Sequence, residues 1–329
     1  MKVSVRNWNV LAVVLISFLI CNKYGCGKNP FGNDTETYRW YEVESPTEEN
    51  LYSVYFVNSN DGWAVGDRGT IIHYDGSEWH NVVTPVNCNL HDVYFVSSHN
   101  GWAVGDSGTI LHYDGNYWQN ISSFNSKHSF TSIYFVSDNI GYICSWEGSI
   151  IFYNGAEWVL SYNRDSAGWM SLYFISEDDG WVVGWIGIMH YTNGIWEYVD
   201  TLNSLFNSVF MLSLNLGWAV ASPAKSGPNT AQTWRYDGIK WEQVENPAPV
   251  DSWGLSDIYF VDENNGWAVG HRGPGDEEKP RGYIMYYNGT SWTLAESSIG
   301  DCLKSVYFLS RDEGWAVGMN GTILHYCGD

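Results

Sequence analysis

Four histidines stand at one place in a stretch that this chain repeats: His73, His112, His190 and His325, with Phe152, Arg235 and Tyr286 in their place elsewhere. Histidine is the commonest metal ligand, but a metal ion needs its donors about 2 Å from a common point. Equivalent positions in separate repeats diverge, so the four read as structural or surface groups and no metal site is expected. The carboxylates offer more. Asp67 and Asp106 follow the same Ala-Val-Gly in neighbouring repeats and Glu147 lies one residue later in the next, which lets several acids ring one mouth of a closed structure. Paired carboxylates are the apparatus of glycosidases. Against that, an Asp after Ala-Val-Gly is a common turn residue, and no arginine cluster matches the carboxylate-binding triad of sialidases. Asp61, Asp178 and Asp179 fall in other turns, without the spaced oxygen ligands of a calcium loop.

The elements that position these residues come from the repeat itself, first met as Leu51 to Trp79, LYSVYFVNSNDGWAVGDRGTIIHYDGSEW. Aligned on the residue after its Gly, the units fall at Trp63, Trp102, Tyr142, Trp181, Trp218, Trp267 and Trp315, at intervals of 39, 40, 39, 37, 49 and 48. Each reads as four strands, in the first unit a over 52–57, b over 62–66, c over 69–74 and d over 78–83. Asn60-Asp61-Gly62 and Asp75-Gly76 supply turn residues that tolerate positive φ. Four-stranded sheets repeated radially make a propeller. The last unit, begun at Leu303, lacks a d strand, while the segment around Trp40 resembles a d strand without its unit. The expected fold is all-β, a seven-bladed β-propeller with four-stranded blades, closed by an N-terminal strand that completes the last blade. Closure removes the free edges that invite aggregation.

Ahead of this domain, assigned to 37–329, residues 1–21 read as a signal peptide, with Lys2 and Arg6 before an apolar run from Val10 to Ile20. That run is short for a spanning helix, although an uncleaved anchor is an alternative. Residues 22–36 read as a tether. Cleavage before Cys26 would make a lipoprotein, although Lys23-Tyr24 matches that signal poorly. An extracytoplasmic location is expected, secreted or as an outer-surface or periplasmic lipoprotein. The net charge of −21, from 16 Lys+Arg against 37 Asp+Glu, opposes nucleic acid and anionic membrane surfaces as partners. Of 19 Trp, six stand at the Gly-Trp position and seven at the end of a unit, so thirteen are expected in the core. Trp8, Trp146, Trp169, Trp185, Trp234 and Trp253 are left over. The cysteines make no disulfide framework. Cys88 and Cys302 fall at matching d-to-a connections two blades apart, Cys144 replaces the Val of Ala-Val-Gly as a buried thiol, and Cys327 lies in the last turn.

The unit GWAVGDRGTIIHYDGSEW resembles the repeats of the photosystem II assembly and stability factor family, and those of the bacterial neuraminidase-repeat, or Asp-box, propellers. All seven units can be laid on the pattern, over about residues 37–329. The Asp-box turn is one residue short, and Asn154, Asn193 and Asn288 replace its Asp in the third, fourth and sixth units. Members that assist photosystem assembly imply a membrane-protein partner, while fold alone does not carry function.

The informative irregularity lies in the b-to-c connections, which expand over 222–232 in the fifth unit and 271–281 in the sixth. All b-to-c loops of a propeller share one face, so the two insertions enlarge one sector of it. The same face carries Trp146 and Trp185 in short loops where a core role is hard to see. The expected function is a monomeric, exported, non-catalytic scaffold that recognises a protein partner there through Trp146, Trp185, Arg272, Arg281 and Lys225, with no cofactor. Two alternatives are a glycan-binding, lectin-like propeller and a glycoside hydrolase or lyase.

Overall fold

The computed structural model describes residues 39–124, 127–200, 204–222, 231–273 and 280–328. The expected signal peptide, the tether, Cys26 and Lys225 lie outside the described residues. Seven antiparallel sheets of four strands each form the blades, as the repeat predicts. In blade one the strands are a, Leu51–Asn58; b, Asp61–Gly66; c, Ile71–Tyr74; and d, Trp79–Asn81. Blade seven takes Leu303–Ser310, Glu313–Gly318 and Ile323–Cys327 from the end of the chain and its d strand, Arg39–Glu42, from the beginning. Trp40 faces Tyr326 in that ladder, so the two ends of the described chain share a sheet.

The recurring sequence is explained by what lies between blades. In most blades the b-strand aromatic packs against the a-strand ring of the next blade and edge-on to that blade's d-strand Trp, and beyond Trp181 the ring is replaced by Met211. Trp63 meets Phe95 and Trp118, Trp102 meets Phe135 and Trp158, and Trp315 meets Phe56 and Trp79 across the closure. Burying such a side chain contributes on the order of 3 kcal/mol, and edge-to-face pairs add somewhat more. The Gly before the Trp is required by the same packing: a Cβ on Gly62 would run into the Phe56 ring lying over it. The c-strand histidines stack on the b-strand Trp of their own blade, as His190 does on Trp181 at 3.9 Å and His325 on Trp315 at 3.9 Å. His73 and His190 also hold the turn acids Asp61 and Asp179. These groups support blade packing, each in its own blade.

Two details depart from the sequence reading. In blade six, strands b and c run on to Arg272 and back from Arg281, which face each other in the ladder, so part of the 271–281 insertion is a lengthened hairpin. In blade four, Asn193 and Gly194, at φ 48° and 91°, form a two-residue hairpin turn between Thr192 and Ile195. Elsewhere the Asx residue of the c-to-d turn accepts backbone N–H bonds, as Asp75 and Asn154 do.

Candidate functional site at the axial mouth

The seven a strands surround the propeller axis, and each carries the same irregularity near its start. The a–b ladder skips one residue between Leu51 and Ser53, and at the corresponding place in all seven blades. Such bulges leave one residue unpaired and re-aim its side chain. The skipped residues are Tyr52, His91, Thr131, Met170, Asn207, Ser256 and Lys304, and all seven line one axial pit of about 350 Å³. Tyr52 donates to Asp67 in its b-to-c loop and His91 bonds Asp106 in the next, which places the pit on the b-to-c face.

The next residue of each strand, Ser53, Asp92, Ser132, Ser171, Ser208, Asp257 and Ser305, forms the floor and ties blade to blade. Ser53, Ser132, Ser171 and Ser305 accept the following blade's amide at 3.4–3.5 Å. A carboxylate reaches further. Asp92 accepts the Ile133 amide at 2.8 Å, the Ser53 hydroxyl at 2.7 Å and its neighbour Val93 at 2.9 Å. Asp257 does the same with Val306, Ser208, Ile258 and, in addition, the Ser305 hydroxyl. Burial outweighs these bonds: it pushes the Asp92 carboxyl up to about 6 and raises that of Asp257 as well.

Two residues further along each strand, Tyr55, Tyr94, Tyr134, Tyr173, Phe210, Tyr259 and Tyr307 close a collar around the axis, with neighbouring ring centroids 4.8–5.1 Å apart. Burial raises the phenols of all six tyrosines above their ordinary range. The site is therefore a pit with a polar wall, a carboxylate-and-serine floor and an aromatic constriction beneath it.

The acids singled out from sequence face this region but are committed. Asp67 accepts from the Asn50 amide and the Tyr52 phenol, one on each oxygen, both at 2.7 Å. Asp106 accepts from Ser129 at 2.6 Å and bonds His91 at 2.9 Å; burial works against its charge, but the Ser129 and His91 bonds hold its carboxyl below the usual range. Glu147 accepts the Ser129 amide. Trp146 and Trp185 come together edge to face at 4.4 Å and stay 38% and 49% exposed. Among the remaining unassigned Trp, Trp169 is wholly buried, whereas Trp253 is 54% exposed, beside His271 at the rim. Cys88, Cys144 and Cys302 are free thiols, so Cys88 and Cys302 are not bridged, while Cys327 is disulfide-bonded.

Sequence reasoning missed the bulge residues, although a signal for them exists. Within the otherwise repeated a strand they occupy the one position whose chemistry changes from every unit to the next: Tyr, His, Thr, Met, Asn, Ser, Lys.

Fold and site define a seven-bladed propeller with an asymmetric axial pit. No family model matches the sequence, and no curated protein matches it. Solved structures do. The chain superposes on one described as YCF48 bound to D1 peptide with a TM-score of 0.69 and 19% identity, over 91% of this chain and 99% of that one. YCF48 from Cyanidioschyzon merolae gives 0.68 and 18%, over 88% and 98%. The WD40 propeller domain of Doa1 gives 0.69 and 12%, over 89% and 97%. At these identities the likeness shows the fold, a β-propeller.

Proposed function

We propose that this chain is an exported, non-catalytic binding or assembly scaffold that takes a segment of a protein partner on its b-to-c face. The observation that carries the reading is the convergence of seven chemically different bulge residues on one pit. Some bulge side chains also tie neighbouring blades, Thr131 to the Trp169 carbonyl and Asn207 to that of Leu255, but joining blades needs no such variety, since the floor serines do it with one residue type. The exposed Trp146–Trp185 pair on the same face supplies aromatic anchors of the kind that dominate protein interfaces. The YCF48 structure solved with a D1 peptide supports a peptide as occupant of such a propeller. Export is supported by the leading apolar run and by the disulfide at Cys327, a bond that persists in oxidising compartments. The Asx residues in the c-to-d turns belong, on this reading, to turn formation in the manner of the neuraminidase-repeat propellers.

The alternatives are less well supported. A lectin-like groove of about 680 Å³ lies between blades two and three, but Trp102 and Trp158 in it are almost wholly buried and leave little aromatic face for a sugar. A hydrolase needs one acid that holds a proton and one free carboxylate, and neither Asp67 nor Asp106 is free.

The test is a photo-cross-linking amino acid placed in the native host at Trp185 or, on the opposite face, at Ile239. One protein adduct from position 185 with none from 239 is expected. Equal labelling from both positions, or none from 185, rules out the proposed face.

A further inference from the structure

We infer that the axial pit receives a carboxylate group of the bound peptide, which Lys304 holds together with His271. This deepens the preceding reading and rests on it. Lys304 is the bulge residue of blade seven, and His271, at the end of strand b in blade six, lines the same pit.

The argument is an accounting of donors. Around the wall, the Tyr52 phenol is given to Asp67, Thr131 to the carbonyl of Trp169, and the Asn207 amide to Ser222 and to the carbonyl of Leu255. His91 is held by Asp106. On the floor, the Ser53, Ser208 and Ser305 hydroxyls and the Val93, Ile133, Ile258 and Val306 amides are taken up by Asp92 and Asp257. Lys304 stands apart: it makes no hydrogen bond or ion pair among the described residues, in a protein where acids outnumber bases 37 to 16. Arg68, Lys240 and Arg311 each have a carboxylate. The Lys304 amine is half-buried, and that burial pulls it below its ordinary range. Placing an unpaired ammonium there is costly unless an anion completes the site. His271 contributes a neutral donor, because burial and the nearby Lys304 charge push it down to about 4. Its Nδ1 lies 3.5 Å from the Ser256 hydroxyl, which leaves Nε2 for a ligand, and exposed Trp253 borders it edge-on.

The same chemistry fixes the class of ligand. One ammonium and one neutral imidazole above the two half-buried carboxylates of the floor suit a single negative charge. A phosphate dianion would be repelled by Asp92 and Asp257, and among the described residues no arginine lines the pit to grip it bidentately. A peptide supplies the required group as its C-terminus or as an Asp or Glu side chain.

The experiment titrates the protein with three pools of N-acetylated tetrapeptides, read by isothermal calorimetry: free-acid termini, amidated termini with one Asp or Glu, and amidated termini with no acid. The variants are Lys304→Met, which installs the residue blade four already carries at Met170, and Trp185→Ala. Acid-bearing peptides are expected to bind the unaltered protein at least tenfold more tightly than neutral ones, and Lys304→Met to abolish that preference while its melting curve stays cooperative. Binding of free acids alone assigns the chain terminus; binding of both acidic pools assigns the side chain too. Equal binding of neutral and acidic pools, or an undiminished preference in Lys304→Met, overturns the inference. If Trp185→Ala still loses peptide in that case, the broader reading stands; if no pool binds at all, both fall.

Discussion

The hydroxyl of Ser53 donates to the carboxylate of Asp92 at 2.7 Å across the boundary between the first two blades, and the other oxygen of Asp92 takes the Ile133 amide of the third. One side chain thus ties three blades, yet burial lifts its carboxyl from 3.8 to about 6. The sign follows from the folded state holding its proton more tightly than the unfolded chain does. Stability from this group is fully present below pH 4 and is lost as pH rises through 6, by about 3 kcal/mol in all. Asp92→Ser installs the residue that five other blades use. Urea denaturation at pH 4, 5, 6 and 7 should show the variant gaining on the unaltered protein by about that amount as pH rises; a pH-independent difference would contradict the account. Asp257→Ser should move in the same direction.

Ring closure rests on four residues at the start of the described chain. Trp40 packs edge-on to Phe308 and against Tyr326, and its strand covers the outer edge of Ile323–Cys327. Trp40→Ala should cost about 3–5 kcal/mol, the usual loss for removing a large aromatic from a packed site. Deleting the chain through Glu42 should in addition expose that edge and produce association that grows with protein concentration. Calorimetric melting and light scattering measure the two effects. A deletion variant that melts like the parent and stays monomeric would show that closure adds nothing.

Blade number, strand order and closure were legible because each blade must bury the same aromatic set against its neighbour, which forces the Gly-Trp and the terminal Trp to recur. Trp63 and Phe95, stacked at 5.0 Å, are one instance of a contact the chain makes repeatedly. The axial site was less legible for the opposite reason. Tyr52 and Lys304 do unlike jobs, so no repetition marks them, and the bulge that turns them inward depends on register rather than on residue type. The 271–281 insertion is marked in the sequence by its extra length, and His271 at its start lines the pit. Lys304, thirty-three residues further on, is brought beside it only by the neighbouring blade.

Asp67 and Asp106 offer a direct test against a hydrolase. Each accepts two side-chain hydrogen bonds that bind a b-to-c loop to an a strand. Asp67→Asn puts an amide where the Tyr52 phenol or the Asn50 amide donates, which should cost about 1–2 kcal/mol for the bond left unmade. Pooled polysaccharides should be left intact by the parent and by both Asp→Asn variants, as judged by reducing-end assay. Hydrolysis by the parent that disappears in Asp67→Asn or Asp106→Asn would reverse the non-catalytic reading.

The disulfide at Cys327 bears on the proposed export and on the alternative of a lipid tether. Cys88, Cys144 and Cys302 are free thiols, so the partner of Cys327 lies outside the described residues. If the proposed export involves cleavage after residue 21 or before Cys26, Cys21 is lost and Cys26 has one sulfur for two fates, since a thioether to lipid leaves it nothing to give Cys327. The prediction is that non-reducing peptide mapping of protein purified from its host recovers a Cys26–Cys327 peptide pair, and that Cys26 carries no acyl group. Reduction should release the pair and add two titratable thiols. An acylated Cys26, with Cys327 alkylated in the absence of reductant, would instead place the propeller on a lipid tether.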